Sequence, residues 1–330
     1  MSIKGHARLN MRLQARAALL AVLLLALLGG PVGCRHEPAG PSATPGPGQG
    51  GAGAGEAAWR PGWTAVHFID VGQGDSILVQ FPSGFTMLID GGSREAGPRV
   101  VAYIRSQGVE RLDALVVTHG HEDHVGGLRA VVGSFPVGRA YLYPGEHTTA
   151  SFESLLRALL REKVPATRAR AGVVIRDEGG EADLPAGSGR EAVPARAVAV
   201  GPVKEYEGEN DASLVVRQEV GRVAFLFTGD AGGQAEKDML AARAEVGADV
   251  LKVAHHGSAS STGEAFLRAV RPRWAVISVG AQNPFGHPAS SVLHRLSRAG
   301  VRVYRTDREG TVVFFTDGRQ TWITSERSGP

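Results

Sequence analysis

Four side chains able to bind a divalent cation fall within six residues: His119, His121, Asp123 and His124, in the stretch LDALVVTHGHEDHVGGL that spans 112–128. Imidazole nitrogen suits zinc, and imidazole together with carboxylate also suits manganese. Side chains alternate along an extended chain, so His119 and His121 face one point while Asp123 and His124 turn toward a second. The spacing therefore predicts two divalent metal ions, zinc or manganese, side by side. One His on a loop is ordinarily a polar surface residue, whereas three with an Asp at this spacing rarely occur without metal.

Elements must hold these groups. Leu115, Val116 and Val117 form a short apolar run that reads as a buried strand ending at Thr118, and 125–132 reads as a helix. Upstream, 66–71, 77–81 and 87–89 read as strands, with Gly72-Gln73-Gly74-Asp75 and Pro82-Ser83-Gly84 as turns. Asp70, Asp75 and Asp90 then stand at strand ends, where acids hold turns; only a family resemblance would put them near the site. Helices are expected over 98–107, 151–163 and 290–299, the second with Phe152, Leu155, Leu156, Leu159 and Leu160 on one face. Strands are expected at 139–143, 214–220, 222–227, 250–254 and 273–279; those at 301–304, 311–315 and 321–324 are expected to close a second sheet.

The motif His119-x-His121-x-Asp123-His124 after an apolar strand resembles the metallo-β-lactamase fold superfamily of hydrolases. More narrowly, the chain is similar to the soluble metallohydrolase domain of ComEC competence proteins. The matching segments are FIDVGQGDS at 68–76, LIDGG at 88–92, NDASL at 210–214, FTGD at 227–230, LKVAHHGS at 251–258 and YRTD at 304–307, together covering roughly residues 64–325. The resemblance implies a four-layer αββα sandwich, two mixed β-sheets flanked by helices with metals along one edge. It also implies that Asp230 bridges two cations. A buried carboxylate without a cation costs several kcal/mol or takes up a proton.

His255 and His256 follow the strand at 250–254, and alternation lets only one of them easily face the metals. His255, the first, is expected as a ligand and His256 as a group that orients substrate, with the reverse assignment open. Most members of the superfamily place another His between the first cluster and the bridging Asp. Here Asn210-Asp211-Ala212-Ser213 stands instead, and Asp211 is the possible substitute ligand; His147, in that interval, lacks the usual ligand context. His287, in Asn283-Pro284-Phe285-Gly286-His287-Pro288, is a candidate proton donor to a leaving oxygen or an anion contact. Asp123 and His256 complete the groups expected near the reacting atoms.

Residues 1–33 carry Lys4, Arg8, Arg12 and Arg16, no acid, and an apolar run at 17–28. Twelve residues are too few to cross a bilayer comfortably, so this reads as an export signal. Cys34, the single cysteine, follows it and resembles the acylated first residue of a bacterial lipoprotein, although Pro31 is atypical and ordinary cleavage is the alternative. No intrachain disulfide is then possible. Residues 34–61, rich in Gly, Pro and Ala, read as a flexible tether, and 62–330 as one hydrolase domain.

The formal charge of +3 belongs to the leader, and subtracting its four cations leaves −1 for 34–330. Overall charge thus gives no argument for a nucleic-acid partner. Local basic groups remain: Arg157, Arg161 and Lys163, with Arg168 and Arg170 beyond, form either a solvated face or a phosphate-contacting patch. The acidic, Gly-rich stretch 177–194 reads as an exposed loop that would repel a polyanion.

These features point to an exported, metal-dependent phosphodiesterase or nuclease using a hydroxide held between two cations about 4 Å apart. Its partners would be a phosphodiester substrate such as nucleic acid, and the membrane through the lipid anchor. The alternatives are a small amide or ester hydrolase acting on β-lactams or lactones, and a metal-binding lipoprotein without catalysis. No transport activity is expected, since the chain carries no polytopic membrane region.

Overall fold

The computed structural model describes residues 62–145, 149–178 and 193–327. The export signal, Cys34, the tether, His147 and most of the acidic loop lie outside them. Among the described residues, no helix is long and apolar enough to cross a membrane.

Two sheets form the body. The strands in chain order are β1 (Thr64–Phe68), β2 (Ile77–Gln80), β3 (Thr86–Ile89), β4 (Leu112–Val117), β5 (Val137–Leu142), β6 (Ala166–Arg168), β7 (Val174–Glu178) and β8 (Ala195–Gly201). They continue as β9 (Val215–Val220), β10 (Val223–Phe227), β11 (Val250–Lys252), β12 (Trp274–Ile277), β13 (Arg302–Arg305), β14 (Val312–Thr316) and β15 (Thr321–Ser325). One sheet has the order β15-β14-β1-β2-β3-β4-β5-β6 and the other β13-β12-β11-β10-β9-β8-β7. Both are mixed, with β3, β4, β5 and β6 parallel in the first and β10, β11, β12 and β13 parallel in the second.

The sheets face each other across a core in which Phe68 and Phe314 of the first meet Phe227 and Phe225 of the second, at centroid distances of 6.1 and 6.2 Å. On β10 alternation sends Phe225 and Phe227 into this core and Ala224 and Leu226 to the opposite face. There they pack with the helices Gly233–Ala241, Glu264–Val270 and Ser290–Arg298 through Met239, Phe266 and Leu296. The outer face of the first sheet is covered by Gly97–Ser106, Leu128–Val132 and Ala150–Arg161 through Ile104, Val131 and Leu155. These are the four layers of an αββα sandwich.

Two expectations change. β14 and β15 belong to the first sheet, because β14 pairs antiparallel with β1 in the register Val66↔Phe314; only β13 joins the second. The helix expected over 125–132 is two short ones, Glu122–Val125 and Leu128–Val132. A Cβ on Gly127 would lie 2.1 Å from the carbonyl oxygen of Gly91, and this close approach belongs to the break between them. The helices Gly233–Ala241 and Glu264–Val270 and the strand β8 were not anticipated.

The basic face of Ala150–Arg161 is locally paired: Arg157 bonds Glu153 at 2.9 Å and Arg161 bonds Glu162 at 2.8 Å, all exposed.

Candidate metal centre

The carboxyl ends of β4, β10 and β11 meet at one rim. His119 and His121 follow β4, Asp123 and His124 sit in the short helix after them, Asp230 follows β10, and His256 follows β11. A backbone bond from Leu214 N to Thr118 O, 2.8 Å, ties the two sheets together there. Gly74 lets the 72–75 turn press on the ligand loop: its φ is +127° and a Cβ would stand 2.1 Å from Asp123 O.

The cluster divides into two sets sharing one carboxylate. In the first, His119 Nε2 is 3.0 Å from His121 Nδ1 and 3.7 Å from Asp230 Oδ2. In the second, His256 Nε2 is 3.4 Å from His124 Nε2 and 3.2 Å from Asp123 Oδ2. Asp230 reaches both, with Oδ1 3.3 Å from His124 Nε2 and Oδ2 3.5 Å from His256 Nε2. Within each of the sets His119, His121, Asp230 and Asp123, His124, His256 the candidate ligand atoms lie within 4.8 Å of one another.

Outer bonds set the imidazole tautomers. His124 Nδ1 donates to Asp90 Oδ2 at 2.7 Å, and His256 Nδ1 donates to the Ser278 carbonyl at 2.9 Å. Asp90 is itself fixed by the Thr118 amide at 2.9 Å and its hydroxyl at 2.5 Å. With Nδ1 carrying the proton, each neutral ring turns an Nε2 lone pair inward, and two lone pairs facing each other need a positive charge between them. Asp230 Oδ1 is buried and has no hydrogen-bond partner among the described residues. The donor set therefore fits divalent cations.

Electrostatics agree. Burial opposes charge on His256, but Asp230, Asp123 and Asp75 outweigh it and raise its pKa to about 9. Burial would likewise raise Asp230, yet His256, His124 and His119 hold it well below the usual carboxylate range. In the metal-free chain protons on imidazole do the balancing that cations would otherwise do.

The expected order of the His255-His256 pair is reversed. His256 is 2 % exposed and sits in the second set, whereas His255 is 27 % exposed, 3.9 Å from Asp230 Oδ2, and lies outside both sets. Both residues have left-handed backbone, with φ of 51° and 53°, so the alternation of an extended chain does not apply. Asp211 is no substitute ligand: its Oδ1 accepts the Ala235 amide at 3.2 Å, in the first turn of the helix Gly233–Ala241. Its neighbours approach instead, Glu209 Oε2 lying 3.5 Å from His121 Nε2 and Asn210 Nδ2 3.4 Å from His255 Nε2. His287 stands one ring beyond, 5.6 Å from His255 between centroids. Burial and the neighbouring His255 lower its pKa.

Lys252 went unnoticed in the sequence. It is fully buried on β11, forms an ion pair with Asp75, donates to Gly229 O at 3.2 Å and lies 4.0 Å from Asp230 Oδ1. A lysine in an apolar run marks a buried charge, but its partner is remote in sequence.

A family model described as the metallo-beta-lactamase superfamily matches residues 69–281. The chain belongs to that superfamily. It is 32 % identical over 266 residues to ComE operon protein 3 of Bacillus subtilis (strain 168), covering 76 % of this chain and 32 % of that protein. It is 30 % identical over 251 residues to Competence protein ComA of Neisseria gonorrhoeae, covering 76 % and 32 %. The chain thus spans about a third of the length of these relatives. Among solved structures, CmlA, a diiron beta-hydroxylase from Streptomyces venezuelae, aligns with a TM-score of 0.47 at 14 % identity over 73 % of this chain and 52 % of that one. As a metallo-beta-lactamase superfamily protein with two convergent His/Asp sets, this chain is a metal-dependent hydrolase in its fold and donor chemistry.

Proposed function

We propose that the protein is an exported phosphodiesterase or nuclease dependent on two divalent cations, zinc or manganese, and tethered to the cell envelope through Cys34. The observation that carries the catalytic part is the sharing of Asp230 between the two imidazole sets. His119, His121 and Asp230 would hold one cation, and Asp123, His124 and His256 the other, with Asp230 within reach of both. Bound there, two cations supply a Lewis acid for an electrophilic oxygen and a nucleophile from water at neutral pH.

The chain's own groups do the rest. Asp90 and the Ser278 carbonyl keep His124 and His256 in the Nδ1–H form, so both rings present Nε2. Lys252 holds Asp75 beneath His256, whose Nδ1 lies 3.5 Å from Asp75 Oδ1. His287, close to the cluster yet outside it, is the candidate to donate a hydrogen bond to a leaving oxygen. A phosphodiester substrate is supported by the name of one relative, Competence protein ComA, and by Asn210-Asp211-Ala212-Ser213 in place of another His. The apolar leader with its basic start, followed by Cys34 and a Gly/Pro/Ala tether, supports export.

The test incubates the purified protein, loaded with zinc or manganese, with single- and double-stranded DNA, RNA and cyclic dinucleotides, and with nitrocefin alongside. Cleavage of a phosphodiester without nitrocefin turnover is expected. No cleavage of any phosphodiester while metal is bound would overturn the reading.

A further inference from the structure

Phe285 is the most exposed large apolar residue among those described, at 63 %. A single exposed ring needs no explanation by itself. This one is held in place. The Asn283 side chain knits the loop at 280–288 together: its Oδ1 accepts the amides of Phe285 at 3.2 Å and His287 at 3.0 Å, and its Nδ2 donates to the carbonyls of Gly280 at 2.9 Å and His287 at 2.7 Å.

Both ends of the loop are fastened to segments that carry the metal centre. The Gly280 amide donates to Gln73 Oε1 at 3.2 Å, in the turn that presses on Asp123. At the other end the Ala289 amide donates to Gly257 O at 2.9 Å, next to His256. A run of rings leads inward from the tip. Phe285 stacks on His287 at 5.7 Å and 27°, His287 meets His255 edge-on at 5.6 Å, and His255 lies 6.1 Å from His256. A mostly solvated aromatic face is therefore presented at a fixed distance from the candidate ligands, backed by an imidazole.

The geometry points to Phe285, supported by His287, as a stacking platform for an unpaired nucleobase beside the scissile phosphodiester. This subsite rests on the phosphodiesterase reading and deepens it by favouring single-stranded nucleic acid. Any base offers a planar π-face, so such a platform tolerates sequence. A base inside a duplex has both faces covered by its neighbours and cannot use it. Asn283 is the positioning residue, since its four hydrogen bonds fix where the ring stands.

The experiment measures binding of a labelled short single-stranded DNA and of the same strand with abasic sites, by fluorescence anisotropy, with full chain in chelator and again with manganese. The wild type is expected to bind the base-bearing strand about tenfold more tightly than the abasic one. Phe285→Ala should abolish most of that preference and leave abasic binding unchanged, and Phe285→Trp should keep it. Thermal unfolding of each variant reports whether it folds. Equal affinity of the wild type for both strands overturns the platform. So does an equal loss for both strands in Phe285→Ala, which would mark the ring as a general docking contact. Cleavage of the base-bearing strand is read separately: its failure with metal bound counts against the phosphodiesterase reading, while base preference in chelator judges the platform alone.

Discussion

Lys252 and Asp75 form an ion pair with both side chains sealed from water, and it lies directly under the carboxylate that the two imidazole sets share. Taking two charges out of water costs several kcal/mol each, so the pair persists only because each compensates the other. Asp75 Oδ1 faces His256, and the Lys252 ammonium is held by Gly229 O, the residue before Asp230.

Removing one partner strands the other. Lys252→Met and Asp75→Asn should each lower stability by about 3–5 kcal/mol in urea unfolding of the metal-free protein. The double variant Lys252→Met with Asp75→Asn should lose less than the two single losses added together. Additive losses would show that the two side chains do not interact.

Asp90 lies outside the two sets that share Asp230, although with Asp75 and His124 it forms a further buried cluster, and it fixes the His124 ring. Asp90→Ala should therefore weaken metal binding by about 10–100-fold, measured by competition with a chromogenic chelator, without removing a ligand. Unchanged affinity would deny that the Nδ1 bond orients the ring.

His67 provides a pH dependence away from the metals. Its Nε2–H donates to Gln80 Oε1 at 3.0 Å and its Nδ1 accepts from the Tyr103 hydroxyl at 2.9 Å, a neutral ring. Burial lowers its pKa from 6.5 to about 4, against the opposing Gln80 bond. The unfolded chain thus takes up the proton first. The contribution to stability is complete above pH 6.5 and is lost as pH falls from there toward 4. His67→Gln should remove about 2 kcal/mol of the stability difference between pH 7 and pH 5, read from urea midpoints. An identical pH slope in both proteins would contradict it.

Arg157 and Arg161 are paired with neighbouring carboxylates on an exposed helix face. Arg157→Ala and Arg161→Ala should leave oligonucleotide affinity and its salt dependence unchanged in a titration. A shallower salt slope in either variant would reinstate that face as a phosphate contact.

What could be read in advance followed local periodicity. His119 and His121 do converge, and Asp123 and His124 do turn to a second set, because the loop after β4 leaves the strand as alternation requires. The same rule failed at His255 and His256, where two consecutive left-handed residues replace extended chain, and no residue type there announces that bend. Hydropathy located β14 and β15 but not their partners, since apolar alternation names a face and not a neighbour. Asp75 was visible at a strand end and Lys252 was not, because their contact spans most of the domain and has no periodic signature. Asp211 was misread because a carboxylate at a helix start and one at a metal look alike in a sequence.

Metal content tests the central claim most directly. The full chain, loaded with zinc or manganese and freed of excess ion, should hold two equivalents per chain by plasma mass spectrometry. The variant combining His119→Ala with Asp230→Asn should fall below one while remaining folded by circular dichroism. A wild type that binds no divalent ion, or a folded double variant that retains both, would contradict the account.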